Sequence, residues 1–89
     1  MAEPRFNLED LDAVLQEMGA GRGYNPDDPT AYLWARRVGT DLVIGSFAPE
    51  SGAMTIRQDQ AVAIAVQLRY EPYEVVRRLM DRGGENLDP

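Results

Sequence analysis

Chemistry needs a nucleophile, a proton carrier or a set of metal ligands, and this chain offers few of each. It contains no cysteine and no histidine. That removes thiolate nucleophiles, disulfides and thiolate metal sites, and with them the side chain that ordinarily carries protons near neutral pH. Zinc, copper and haem sites lose their usual ligands on the same count. The hydroxyls of Ser46, Ser51 and the tyrosines have no imidazole to activate them. Paired carboxylates hydrolyse glycosides only across a sugar-sized cleft, for which a small domain has little room. Asp27 and Asp28 are adjacent acids with no third at calcium-loop spacing. Gly19-Ala20-Gly21-Arg22-Gly23 has the glycines of a phosphate loop, but neither a Lys-Ser/Thr pair nor a helix start follows it. The expectation is a chain that is not an enzyme and needs no metal or cofactor.

What remains is binding, and here charge is informative. Every one of the nine basic residues is arginine, and fifteen acids bring the net charge to −6. Arginine contacts carboxylate, phosphate and guanine bidentately, which lysine does not. The charges are unevenly placed. Residues 1–30 hold seven of the acids and two arginines, whereas residues 55–84 hold five arginines and four acids. An acidic chain is repelled by nucleic acid in bulk, so any nucleic-acid site has to be a local patch.

Two interaction readings follow, each beside a plainer one. Asp10, Asp12 and Glu17, with Asp27 and Asp28, form an acidic region suited to a basic protein partner, or to imitating nucleic acid toward such a partner. The plainer reading is a solvated helix face. Arg69, Arg77, Arg78 and Arg82 would supply phosphate and base contacts if the helices before and after Tyr70-Glu71-Pro72 formed a helix-turn-helix unit. The turn has no glycine, and Glu71 and Glu74 stand where phosphates would lie. The plainer reading there is a helical hairpin whose arginines compensate the helix dipole.

The elements that position these residues can be read from periodicity. Leu8, Leu11, Val14, Leu15 and Met18 repeat at helical spacing behind Asn7, a good N-cap, with Glu9 and Asp10 in the first turn. Gly19 and Gly21 end that helix. The stretch 19–30 carries three glycines and two prolines and reads as an irregular loop. Ala61, Ile64, Ala65 and Leu68 mark a helical face over Asp59 to Arg69. Val62, Ile64, Val66 and Leu68 also alternate as in a strand, but three alanines favour the helix. Thr55 with Gln58, or Asp59, would cap it. Pro72 opens a last helix with Val75, Val76, Leu79 and Met80 as its stripe and Tyr73 upstream, stopped by Gly83 and Gly84.

Between the first helix and this pair lies a sheet. Ala31 to Val38 and Asp41 to Ala48 form a hairpin about Gly39-Thr40, pairing Val38 with Asp41, Arg36 with Val43, Trp34 with Gly45 and Tyr32 with Phe47. Pro49-Glu50-Ser51-Gly52 turns the chain into a third strand, Ala53 to Ile56 or Arg57, with Met54 opposite Phe47. One face collects Tyr32, Trp34, Val43, Phe47, Met54 and Ile56 as the core. The other holds Leu33, Ala35, Leu42 and Ile44, too apolar to be simply wet. Either the first helix covers it or another chain does.

The fold expected is α+β: an N-terminal helix, a three-stranded antiparallel meander, then a C-terminal helix pair packed on the sheet, in one domain with residues 1–6 and 85–89 as loose ends. No apolar run is long enough to span a bilayer, and the first residues lack a signal-peptide layout, so a cytoplasmic location is expected. The leading functional expectation is a small regulatory or inhibitory protein that binds a larger protein, through Asp10, Asp12, Glu17, Asp27 and Asp28 and the apolar Leu33, Leu42 and Ile44. The first alternative is DNA binding through the helix 72–82. The second is a structural homodimer closed by the second sheet face.

Overall fold

A computed structural model describes residues 4–50 and 52–82, and the backbone of residues 85–86. In chain order the elements are β1 (Arg5–Asn7), α1 (Leu8–Glu17), β2 (Gly21–Gly23), β3 (Tyr32–Val38), β4 (Asp41–Phe47), β5 (Thr55–Arg57), α2 (Gln58–Gln67), α3 (Pro72–Asp81) and β6 (Glu85–Asn86). The class is α+β, with two antiparallel sheets in the orders β5-β1-β6 and β2-β3-β4. Among the described residues no helix is long and apolar enough to cross a membrane.

The hairpin forms in the expected register, from Val38 opposite Asp41 to Tyr32 opposite Phe47. Gly39 takes φ +61, which a two-residue turn requires at its first position and glycine supplies without strain. A three-stranded meander is present, but its third strand is not the expected one. β2, drawn from the glycine-rich loop, lies along β3 with Arg22 opposite Trp34. Gly23 permits the close approach: a Cβ there would stand 2.9 Å from Leu33 Cδ2. The stretch 19–30 is thus not wholly irregular.

The strand expected beside β4 is drawn elsewhere. Thr55–Arg57 pairs with Arg5–Asn7, and Ile56 meets Phe6 with both side chains fully buried. Met54, expected against Phe47, is exposed. The expected loose ends change with it. Residues 5–7 are a strand, and Glu85–Asn86 adds to its other side. Residues 1–3 and 87–89, Ser51 and the expected helix stop at Gly83-Gly84 lie outside the described residues.

Phe6 and Ile56 lie on a local two-fold axis. Each of their strands leads directly into a ten-residue helix. The backbone closes the pair symmetrically: Leu8 N–H donates to Met54 O at 3.0 Å, and Gln58 N–H donates to Pro4 O at 3.2 Å. Buried positions match fifty residues apart, Phe6 with Ile56, Leu11 with Ala61, Val14 with Ile64 and Leu15 with Ala65. Both helices also end alike. Gly19 and Ala20 N–H donate to Gln16 and Leu15 carbonyls, and Arg69 and Tyr70 N–H donate to Val66 and Ala65 carbonyls, the paired bonds that close a helix through one left-handed residue. That residue is Gly19 in the first half and Arg69, at φ +60, in the second.

The second half then continues into α3, where Glu71 caps the helix by accepting from Glu74 N–H at 2.7 Å. The first half continues into the β2-β3-β4 sheet. The core joins both, from Leu11, Val14 and Leu15 through Trp34 and Val43 to Ile64, Leu68, Val75 and Leu79. α3 buries Val75, Val76 and Leu79, but Tyr73 and Met80 are exposed, so its apolar stripe is narrower than the sequence suggests. At the start of α2 the capping pair is neither Thr55 with Gln58 nor one built on Asp59. Gln60 Oε1 accepts from Arg57 N–H at 3.0 Å, because strand pairing carries Thr55 to Arg57 away from helical geometry.

Candidate interaction face

In a strand, side chains alternate between faces. Trp34, Val43 and Gly45 therefore face the helices, and Leu68 packs so close that a Cβ on Gly45 would stand 3.0 Å from its Cγ. Leu33, Ala35, Leu42 and Ile44 face the other way. None of these four is buried, and Leu42 and Ile44 are 59% and 53% exposed. The N-terminal helix does not cover this face; it packs instead on β1, β2 and α3. Arg37, opposite Leu42, is exposed on the same face.

Among the described residues β4 is also the outer strand of its sheet, paired with β3 alone. The hairpin turn fixes which backbone groups point outward. Val38 and Asp41 flank a two-residue loop and form a hydrogen-bonded pair, so the residues facing outward are Leu42, Ile44 and Ser46. The outward N–H of Ser46 is taken by Gln67 Oε1 at 3.1 Å. The end of α2 thus closes one end of an otherwise open edge.

The acidic candidates lie apart from this face, and most have partners within the chain. Asp12 accepts from the buried Trp34 indole N–H at 2.8 Å and pairs with Arg22 at 3.5 Å. The Arg22 guanidinium lies 4.2 Å over the Tyr32 ring. Glu17 and Asp10 both contact Arg82, at 2.8 and 3.8 Å. Asp28 accepts from the Thr30 hydroxyl at 2.7 Å and so shapes its own loop. Asp27 N–H donates to Asn25 Oδ1 at 3.0 Å, and the Asp27 side chain is exposed.

The arginines named for DNA are likewise occupied. Arg77 and Arg78 converge on Glu74 at 2.6 and 3.1 Å, and Arg77 also reaches Asp81 at 3.3 Å. Hydrogen bonds from Arg77 first and Arg78 second hold the Glu74 carboxyl below its ordinary range, and the same contact raises the Arg77 guanidinium. Arg69 pairs with Asp41 at 3.2 Å, and Arg82 binds α1 as described. The four arginines do not form one patch. Among the described residues no group of three or more acids is placed to hold a metal ion.

Sequence reasoning did not find the Asp12–Trp34 link or Arg22, which joins residues across three elements. Nor did it find the halves related about Phe6 and Ile56, although Phe6, Leu11, Val14 and Leu15 recur in kind fifty positions on. No family model, curated protein or solved structure matches the chain.

Proposed function

We propose that this chain is a small, non-enzymatic regulatory or inhibitory protein that works by binding another protein through the open face of the β2-β3-β4 sheet. One observation carries the reading: Leu42 and Ile44 stand half-exposed side by side on a face that also holds Leu33 and Ala35. Full burial of such a side chain is worth about 1.5–3 kcal/mol, and a partner surface recovers part of it. Arg37 has no carboxylate partner among the described residues, so the partner surface is apolar with an acidic group at its rim. The acidic part of the reading rests on the exposed Asp27, since Asp28 is held by Thr30 and Asp10, Asp12 and Glu17 are engaged within the chain.

The test compares two immobilised baits, the natural chain and Leu42→Lys/Ile44→Lys, in a lysate of the source organism, with retained proteins quantified by mass spectrometry. At least one protein held by the natural chain should fall tenfold or more on the variant, with the circular dichroism unchanged. Equal retention on both baits sinks the reading.

A second reading, nucleic-acid binding, draws on the β1–β5 ribbon more than on α3. Phe6 and Ile56 are buried, so Arg5, Asn7, Thr55 and Arg57 share the opposite face. Arginine and asparagine pair bidentately with guanine and adenine edges, although Arg57 already pairs with Asp59 at 3.0 Å. The net charge of −6 opposes it, which places it second. Anisotropy titration against mixed short duplexes at roughly 50 and 200 mM salt decides. Micromolar binding that collapses at the higher salt, and is lost in Arg5→Ala, promotes this reading. No binding at the lower salt removes it.

A further inference from the structure

We infer that the outer edge of β4 pairs with β4 of a second copy of this chain, antiparallel about a two-fold axis at Val43. Leu42 and Ile44 each present an outward N–H and C=O, and none of these four groups has a partner among the described residues. The free stretch is bounded by the Gly39-Thr40 turn at one end and by Gln67 on Ser46 at the other.

One register fits these bounds. Setting Leu42 opposite Ile44 of the second copy makes both into hydrogen-bonded pairs. It satisfies all four outward groups of each chain and leaves the Gln67 bond intact. The next hydrogen-bonded register, slid by two residues so that Ile44 lies opposite itself, would bring Ser46 into the ladder and displace Gln67. In the first register each Gln67 lies beyond the end of the other copy's strand. A foreign strand would have to be as short and as closely bounded, whereas a second copy is so by construction. The contact is self-complementary, as a two-fold interface must be.

Electrostatics and apolar area point the same way. Leu42-Val43-Ile44-Gly45-Ser46-Phe47 carries no charge in a chain with 27% charged residues, and an uncharged, β-prone edge is the kind that pairs. Asp41 falls opposite Gly45 of the second copy with its charge already answered by Arg69. On the open face Leu42 and Ile44 of one copy come to lie beside Ile44 and Leu42 of the other. The inference goes beyond the partner-binding reading, because it uses the backbone of β4 and that reading uses the side chains. A monomeric result leaves the partner reading standing, and loss of partner capture leaves this one standing.

The test is sedimentation velocity from about 10 µM to about 1 mM, a range suited to a small interface. The natural chain should shift from monomer to dimer mass. Ile44→Pro removes an outward N–H but no bond to β3, a position where an edge strand accepts proline, and should stay monomeric. Ile44→Thr keeps the N–H and should still dimerise. Register is read by mixing Leu42→Cys and Ile44→Cys chains, since the natural chain has no cysteine. Hydrogen-bonded partners stand about 5.5 Å apart at Cα, within disulfide reach, so the mixed disulfide should form in clear excess over the 1:2:1 mixture that random pairing gives. A natural chain that remains monomeric throughout overturns the inference. So does a dimer unaffected by Ile44→Pro, or a mixture with no excess of the mixed disulfide. Should Ile44→Pro fail to fold by circular dichroism, the cysteine mixture decides alone.

Discussion

The indole N–H of Trp34 donates to Asp12 Oδ1 at 2.8 Å, tying the middle of β3 to α1 across 22 residues of chain. Trp34 is the single tryptophan and is fully buried. An indole is well buried only where its N–H finds a partner, so this half-buried carboxylate anchors the core tryptophan even though it reads in sequence as part of an acidic surface. Arg22 balances its charge and stacks over Tyr32. One acid therefore serves α1, β2 and β3 together.

Removing that acceptor should be costly. Asp12→Ala leaves a buried donor unpaired, which costs about 1–3 kcal/mol. Asp12→Asn keeps an acceptor oxygen and should cost less. Urea unfolding followed by Trp34 fluorescence measures both. Equal stability in Asp12→Ala and the natural chain would show that the bond contributes nothing.

Arg69 should be replaceable at a profit. It holds φ +60 where the matching position of the first half is Gly19, and a side chain there costs roughly 1 kcal/mol. Its pair with Asp41 is exposed on both sides, and such pairs are worth about 0–1 kcal/mol with many contributing nothing measurable. Arg69→Gly should therefore raise Tm by a few degrees, and Arg69→Val should lower it. A lower Tm in Arg69→Gly would mean that the ion pair outweighs the backbone strain.

Gly45 should tolerate no side chain. A Cβ would meet Leu68 Cγ at 3.0 Å and Gln67 Oε1 at 3.4 Å. Overpacking of this kind costs typically about 1–3 kcal/mol, so Gly45→Ala should lower Tm by roughly 4–8 °C per kcal/mol lost. It should also weaken the Gln67 bond to Ser46, visible as faster amide exchange of Ser46. An unchanged Tm would mean that α2 shifts to accommodate the methyl without cost.

Glu74 should make the fold sensitive to acid in a defined sense. Its carboxyl is held below the ordinary range by Arg77 and then Arg78. The folded value is thus lower than the unfolded one, about 4.3. The stabilisation is complete above that unfolded value and is lost as pH falls through the folded value. A carbon-13 titration should place the Glu74 midpoint below that of a glutamate in an unstructured peptide, and Arg77→Ala should raise it. A midpoint that Arg77→Ala leaves in place would refute the assignment.

The helices were legible because their apolar residues recur at 3.6-residue spacing against nearby partners. Leu8 to Leu15, Ala61 to Leu68 and Val75 to Leu79 carry that signal within one segment each. The hairpin was legible for a similar reason: Gly39-Thr40 fixes its register locally, and with it the face on which Leu33, Leu42 and Ile44 lie. The partners of the short strands were not. Three residues such as Thr55–Arg57 or Gly21–Gly23 hold too little pattern to declare a neighbour. β5 was decided by Phe6, which offered Ile56 complete burial from the far end of the chain.

The same division applies to charge. The sequence by itself determined the absence of histidine and cysteine, the −6 balance and the apolar second face of the hairpin, since these depend on composition and alternation alone. Only the tertiary structure decided which charges are free. Asp12 faces Trp34, Glu17 faces Arg82 and Asp41 faces Arg69 across 22, 65 and 28 residues. Such pairings are fixed by how helices and sheet pack, and packing is a sum over the whole core that no single stretch of the chain contains.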